Sequence, residues 1–139
     1  MITSIGHAAY DCYNFEQTLD FYTRVLGFPE MFRLHNDEGQ LWIIYLRVSD
    51  SVFIELFPRE GEAPAKGGSY SHLCLEVDDI EQTVKEVVER GATLTAEIKQ
   101  GKDGNLQAWT RDPEGNRIEF MEMAPDSMQR RAIERLKKA

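Results

Sequence analysis

Cysteine is scarce in this chain: Cys12 and Cys74 are the only two among 139 residues. They form no CxxC motif and no paired framework, which excludes a disulfide-stapled scaffold and fits a reducing compartment. Long apolar runs are missing too. None approaches the ~20 residues that a membrane helix needs. The N-terminus has no basic region and no signal-like apolar stretch, so the cytoplasm is the expected location. Positive charge is in deficit, with 16 Lys and Arg against 24 Asp and Glu, a net charge of −8. Such a balance repels phosphate backbones and anionic lipid, so neither nucleic acid nor membrane is an expected partner. What remains has ordinary globular composition, and its length suits one modest domain or two small fused halves.

Within that ordinary composition one pattern repeats. His7 lies 48 residues before Glu55, and His72 lies 47 residues before Glu119. At a shift of 65, Phe15-Glu16-Gln17-Thr18-Leu19 realigns onto Ile80-Glu81-Gln82-Thr83-Val84. At 64, Ile54-Glu55-Leu56 realigns onto Ile118-Glu119-Phe120. Two copies of a His…Glu pair are what two half-sites for one divalent metal require.

The elements follow the same repeat. Thr3 to Tyr10 alternates as a strand that includes His7. Asn14 with Gln17 predicts a capping box, and Phe15, Leu19, Tyr22 and Leu26 form one helical stripe ending at Gly27. In the second half Asp79 and Gln82 take those roles, with Ile80, Val84, Val87 and Val88 as the stripe and Gly91 as the stop. Strand-like runs cover Leu41 to Val48, Val52 to Phe57, Thr93 to Ile98, Leu106 to Thr110 and Arg117 to Met121. Turns are read at Asp50-Ser51 and Asp112-Pro113-Glu114-Gly115. Each half reads β-α-β-β-β, an α+β design. The expected organisation is module one over about residues 1–58, a linker over about 59–69 and module two over about 70–124. A C-terminal amphipathic helix over 125–139 completes it.

Side chains alternate across a strand, so Glu55 shares a face with Phe53 and Phe57, opposite Ile54 and Leu56. Glu119 shares its face with Arg117 and Met121, opposite Ile118 and Phe120, and His72 opposes Leu73 and Leu75. The aliphatic faces belong against helices, and the polar quartet belongs on the other side. Placing carboxylates and imidazoles on an apolar sheet is costly unless they are paired, and a metal would pair them. Two nitrogens and two oxygens suit Zn²⁺, Ni²⁺, Co²⁺, Mn²⁺ or Fe²⁺, one ion per site. An octahedral ion held by four protein ligands keeps two open positions, enough to chelate adjacent substrate oxygens. A carboxylate that swings off such an ion can serve as a base.

These residues resemble the vicinal oxygen chelate superfamily, in particular its glyoxalase I-like group of lactoylglutathione lyases, bleomycin resistance proteins and dioxygenases. The resemblance spans nearly all of residues 1 to 124 and is carried by several strings. They are His7 in the first strand, the helix opening Asn14-Phe15-Glu16-Gln17-Thr18-Leu19-Asp20-Phe21-Tyr22, Phe53-Ile54-Glu55-Leu56, and His72 before Leu73-Cys74-Leu75-Glu76-Val77. The most specific is Asp112-Pro113-Glu114-Gly115-Asn116-Arg117-Ile118-Glu119. The resemblance implies tandem βαβββ modules forming a cupped mixed sheet, with His7, Glu55, His72 and Glu119 as metal ligands. It also implies proton transfer by Glu119 and Glu55 through an enediolate, and a homodimer in which the site can be shared between chains.

The chain also departs from that pattern. Asp11 stands where glyoxalase I has an arginine that grips glutathione, and Arg59 stands where an asparagine is expected. Lys102-Asp103-Gly104 is the nearest counterpart of a Lys-Gly-Gly loop. The metal set is complete and the glutathione set is not. Arg59, Lys102 and Arg117 are the candidate contacts to a small, anionic carbonyl substrate. Other readings on the same fold are an epimerase, a thiol transferase acting on epoxide antibiotics, an extradiol dioxygenase or a non-catalytic drug-binding protein. The intact Glu55 favours the lyase or isomerase.

Other residues have plainer readings. His35 falls in a hydrophilic loop and reads as solvated. Cys74 suits either the face of the polar quartet or, more simply, a small buried thiol. Arg117 suits either a substrate anion or a structural pair with a nearby acid. Phe53, Phe57, Tyr70, Trp109 and Met121 suit a pocket wall or the core. The C-terminal helix, with Met128, Ala132, Ile133 and Leu136 on one side, is expected to dock on its own domain or a dimer mate.

Overall fold

The computed structural model describes residue 1, residues 3–65 and residues 69–138. Of the expected linker, residues 66–68 lie outside the described residues, as does Ala139 at the end of the expected helix. The chain divides into two units, Met1–Gly68 and Ser69–Ala139.

The first unit runs β1 (His7–Cys12), α1 (Phe15–Asp20), β2 (Glu30–His35), β3 (Leu41–Arg47) and β4 (Phe53–Pro58), in sheet order β1-β4-β3-β2. β1 pairs with β4 in parallel, and the other neighbours are antiparallel. The second unit runs β5 (Leu73–Val77), α2 (Ile80–Glu89), β6 (Leu94–Gln100), β7 (Leu106–Arg111), β8 (Arg117–Glu122) and α3 (Met128–Lys137). Its order is β5-β8-β7-β6, again with only the first and last strands of the module parallel. Both modules are therefore β-α-β-β-β, as the repeat predicts. Among the described residues no helix is long and apolar enough to cross a membrane.

Strand parity sorts core from site. Ile54, Leu56, Ile118 and Phe120 are buried, on strands that pack against α1 and α2. Each such side chain contributes about 1.5–3 kcal/mol of apolar burial. α2 begins as expected, with the Asp79 carboxylate accepting from the Gln82 amide at 2.8 Å. Glu122 adds an acceptor for the Ile80 amide at 2.8 Å, satisfying a second donor of the first turn. Val87 is buried in that helix, whereas Val88 is exposed and falls outside the stripe.

The first helix departs further from its expected form. Asn14 takes the cap position but makes no side-chain capping bond. After Asp20 the helix widens into a π turn over Phe21–Val25, closed by the Leu26 amide on the Phe21 carbonyl at 2.9 Å. The buried stripe is Thr18, Phe21, Tyr22 and Val25, spaced i, i+3, i+4 and i+7, while Phe15, Leu19 and Leu26 are only half-buried. Tyr22 anchors that core, with its ring 5.7 Å from Tyr10 and 5.5 Å from Phe21.

Three further expectations need correction. The first strand starts at His7, so Thr3 to Gly6 lie outside it. His35 ends β2, a wholly exposed edge strand that apolar periodicity could not reveal, and the loop proper begins at Asn36. α3 is tied only at its start. Ser127 caps the Arg130 amide at 3.2 Å, the Met128 amide reaches the Asp103 carbonyl at 2.8 Å, and Gln129 bonds Asn105. Beyond that Met128 is 60% and Leu136 68% exposed, so the helix meets its own domain through its first turn.

The β7–β8 turn explains the most specific string in the sequence. Asp112 is buried and accepts from the Asn116 backbone amide at 2.8 Å and its side-chain amide at 3.0 Å. Gly115 sits at φ 81°, a conformation that a side chain would strain. This closed turn sets the pairing of Arg111 with Arg117, and hence of Trp109 with Glu119. Removing it in Asp112→Ala deletes bonds to a charged acceptor and is expected to lower stability by about 1.5–3 kcal/mol. Urea unfolding measures this, and an unchanged midpoint would show that the turn does not hold the register.

Candidate functional site

Parallel pairing of β1 with β4 places His7 opposite Phe53 and Ala9 opposite Glu55. From the start of its strand the His7 ring reaches along the shared face, bringing Nδ1 to 3.5 Å from Glu55 Oε1. Glu55 is buried, with 8% of its surface exposed, while His7 is half-open to solvent. Tyr45 completes the group. It pairs with Glu55 across β3 and β4. Burial, together with the neighbouring Glu55 carboxylate, holds the phenol above its ordinary pKa.

The second unit builds the equivalent pair. His72 precedes β5 by one residue, and its Nε2 lies 3.1 Å from Glu119 Oε2 on β8. The other ring nitrogen, Nδ1, is 3.0 Å from Ser71 Oγ. The imidazole also packs edge-on against Trp109, with ring centroids 4.7 Å apart. Trp109 carries Arg117 as well, whose Cζ lies 4.5 Å from the indole centroid. Arg117, Trp109 and His72 thus form one connected group beside Glu119, so Trp109 belongs to the site and not to the core.

Other candidates fall differently. Arg59 is committed to Asp11, Nε to Oδ1 at 2.7 Å, and lies over Phe57 with its Cζ 5.4 Å from the ring centroid. The two departures from the glyoxalase I pattern are therefore one ion pair, on the same strand face as Glu55. It is solvent-exposed and adds little stability. Lys102 is exposed in the β6–β7 turn. Among the described residues no group of three or more His, Cys, Asp or Glu side chains could hold a metal ion. Each unit by itself offers two.

Tyr45, Ser71 and the role of Trp109 are what sequence reasoning missed. The repeat carried a signal for two of them: Tyr45 and Trp109 each stand ten residues before their glutamate. Cys74 corrects another expectation. It is exposed, not buried, and pairs with Glu119 across β5 and β8. Desolvation of its sulfur, together with the charge of Glu119 and a hydrogen bond to it, pushes the thiol up to about 12. Iodoacetamide at pH 8 is therefore expected to alkylate Cys74 more than ~10-fold more slowly than an ordinary thiol with a pKa near 8.5. Labelling at the ordinary rate would contradict the Cys74–Glu119 contact.

Comparison with known proteins agrees with this architecture. Residues 4–120 match the model of the Glyoxalase/Bleomycin resistance protein/Dioxygenase superfamily. The lactoylglutathione lyase of Neisseria meningitidis serogroup A is 32% identical over 114 residues, covering 78% of this chain and 83% of the relative. A probable lactoylglutathione lyase of Vibrio cholerae is 30% identical over 112 residues, covering 77% and 81%. The crystal structure of a glyoxalase family protein from Enterococcus faecalis superposes with a TM-score of 0.71 at 23% identity, over 86% of this chain and 97% of that one. That structural likeness shows a shared fold. With the family match spanning most of its length, the chain belongs to the Glyoxalase/Bleomycin resistance protein/Dioxygenase superfamily.

Proposed function

We propose that this chain is a metal-dependent lyase or isomerase of the glyoxalase I type, acting on a small carbonyl compound in the cytoplasm. Residues 1–124 form its single catalytic domain in this reading, with 125–139 as an appended helix. One observation carries it: the same imidazole–carboxylate pair is built twice, with N···O separations of 3.5 Å and 3.1 Å. Two donor atoms each about 2.0–2.2 Å from one ion lie roughly 2.8–3.6 Å apart between right-angled and tetrahedral geometry, so both pairs fit a shared divalent metal. The mixed N/O set suits Ni²⁺ or Zn²⁺ and, next, Co²⁺, Mn²⁺ or Fe²⁺. His7, Glu55, His72 and Glu119 would hold it, either within one chain or across a homodimer that brings His7 and Glu55 of one copy to His72 and Glu119 of another.

When bound, the ion would supply Lewis acidity to a carbonyl oxygen and so acidify the neighbouring carbon. Glu119 takes the proton from that carbon and returns it to the adjacent one. Ser71 and Trp109 hold the His72 ring so that Nε2 stays directed at Glu119. Arg117, fixed on Trp109, and Lys102 supply positive charge for an anionic substrate group. Support for the lyase comes from relatives named lactoylglutathione lyase at about 30% identity. A second reading, an epimerase or isomerase that uses no glutathione, is favoured by the Asp11–Arg59 ion pair. It stands where the resemblance would place the grip on glutathione.

Protein reconstituted with Ni²⁺ or Zn²⁺ is expected to retain about one ion per chain by elemental analysis. Glu119→Gln should reduce turnover roughly 10²–10⁴-fold while leaving the circular dichroism spectrum unchanged. Assays with methylglyoxal plus glutathione, and plus other thiols, separate the two readings. Turnover with none of them moves the assignment to the epimerase or isomerase. Failure to retain any ion after reconstitution rejects both.

A further inference from the structure

β7 carries a polar residue where the first module has an apolar one. Gln107 stands twelve residues before Glu119, and the residue twelve before Glu55 is the buried Ile43. Gln107 and Trp109 lie on the same face of β7, with Met121 and Glu119 as their partners on β8. The Trp109 indole N–H donates to Gln107 Oε1 at 2.9 Å. An indole has no other polar group, so this one bond sets the rotation of the ring. On that ring rest Arg117, with Cζ 4.5 Å from its centroid, and the His72 imidazole, edge-on at 4.7 Å.

The carboxamide is itself held by the β6–β7 turn. A Cβ added at Gly101 would stand 2.6 Å from Gln107 Nε2 and 2.7 Å from Asp103 Oδ1. The amide end of Gln107 thus fills the space that a side chain at Gly101 would take. The turn around it is closed, with the Gly101 amide on the Asn105 carbonyl at 2.8 Å and the Gly104 amide on the Gly101 carbonyl at 3.1 Å. Buried Asn105 donates to Asp103 Oδ2 at 3.0 Å and accepts from the Ala124 amide at 3.0 Å. Turn, carboxamide, indole and guanidinium form one continuous chain of contacts. Arg117 ends it, exposed and without an ion pair among the described residues. A guanidinium seated over an indole keeps its N–H edges free, and one edge offers two parallel donors to an oxyanion.

We propose that Gln107 is a positioning residue: by fixing the Trp109 indole from the β6–β7 turn, it presents Arg117 to a carboxylate or phosphate group of the substrate. This rests on the reading of Arg117 as a substrate contact and adds the residue that sets its geometry. Without the Gln107 acceptor the indole turns about its side-chain bonds and Arg117 loses its fixed seat. An oxyanion then has to order the guanidinium as it binds.

The test needs neither metal nor substrate. In the ¹⁵N-labelled full chain the Trp109 indole N–H signal is assigned by its absence from Trp109→Phe. Gln107→Met keeps the length and removes the acceptor, and should speed hydrogen exchange at that N–H roughly 2–10-fold, the effect of one neutral hydrogen bond. Gln107→Glu, which keeps an acceptor, should restore the slow rate. Gly101→Ala leaves Gln107 in place but crowds its amide, so it should act like Gln107→Met and serves as the test if that variant does not fold. Acetate and inorganic phosphate, titrated separately, are the oxyanion probes. At least one should shift the Trp109 signal saturably in the unmodified protein and not in Arg117→Gln, and the tighter probe identifies the preferred group. Gln107→Met should weaken that binding by a similar factor of roughly 2–10. Unchanged exchange in Gln107→Met and Gly101→Ala, or unchanged anion affinity in Gln107→Met, overturns the positioning role and leaves Arg117 as the anion contact. If neither probe shifts the signal, Arg117 is no anion contact, and that part of the proposed function fails together with this inference.

Discussion

Parallel pairing between the first and last strands of each module is the constraint on which the site depends. It puts a histidine at the start of one strand beside a glutamate in the middle of the other, although 47 or 48 residues separate them in sequence. A parallel ladder cannot be closed by a tight turn, so the intervening helix and two strands are the crossover that makes the pair possible. The same ladder separates the chemistry from the core. Ile54 and Leu56 on one face, and Ile118 and Phe120 in the second unit, take up the helix side, leaving Glu55 and Glu119 on the other. A one-residue slip in this register would make the aliphatic and polar residues exchange faces, since it inverts every side chain.

Duplication supplied two copies of this device, and divergence then specialised them. Around Glu55 stand a silent Ala9 and a phenol, and around Glu119 stand a thiol and an indole. The histidines differ in the same way. His7 presents Nδ1 and is half-exposed, whereas His72 presents Nε2 and is held by Ser71 and Trp109.

Most of this was legible in the residues because strand parity and repeat spacing are sequence properties. The module order, the strand faces that carry Glu55 and Glu119, the Asp79 cap and the Asp112 turn all follow from local chemistry. Elements set by tertiary context did not. β2 has no buried face, so it left no periodic signal, and the first helix buries Thr18, Phe21, Tyr22 and Val25, a second stripe that 3.6-residue spacing also allows. Pairs distant in sequence were also hidden. Asp11 and Arg59, read separately, looked like two losses of a glutathione grip, yet they compensate each other as one ion pair. Cys74 looked like a core thiol because its neighbours are aliphatic, but its parity puts it beside Glu119.

X-ray absorption spectroscopy of the Ni²⁺-loaded protein tests the central claim most directly, because it counts imidazoles around the ion. If both His–Glu pairs close on one metal, the spectrum will fit two imidazole rings with the remaining ligands oxygen. His7→Ala and His72→Ala will each remove one ring. A site with a single imidazole, or one unchanged by either substitution, would contradict the assembly of the two half-sites into one centre.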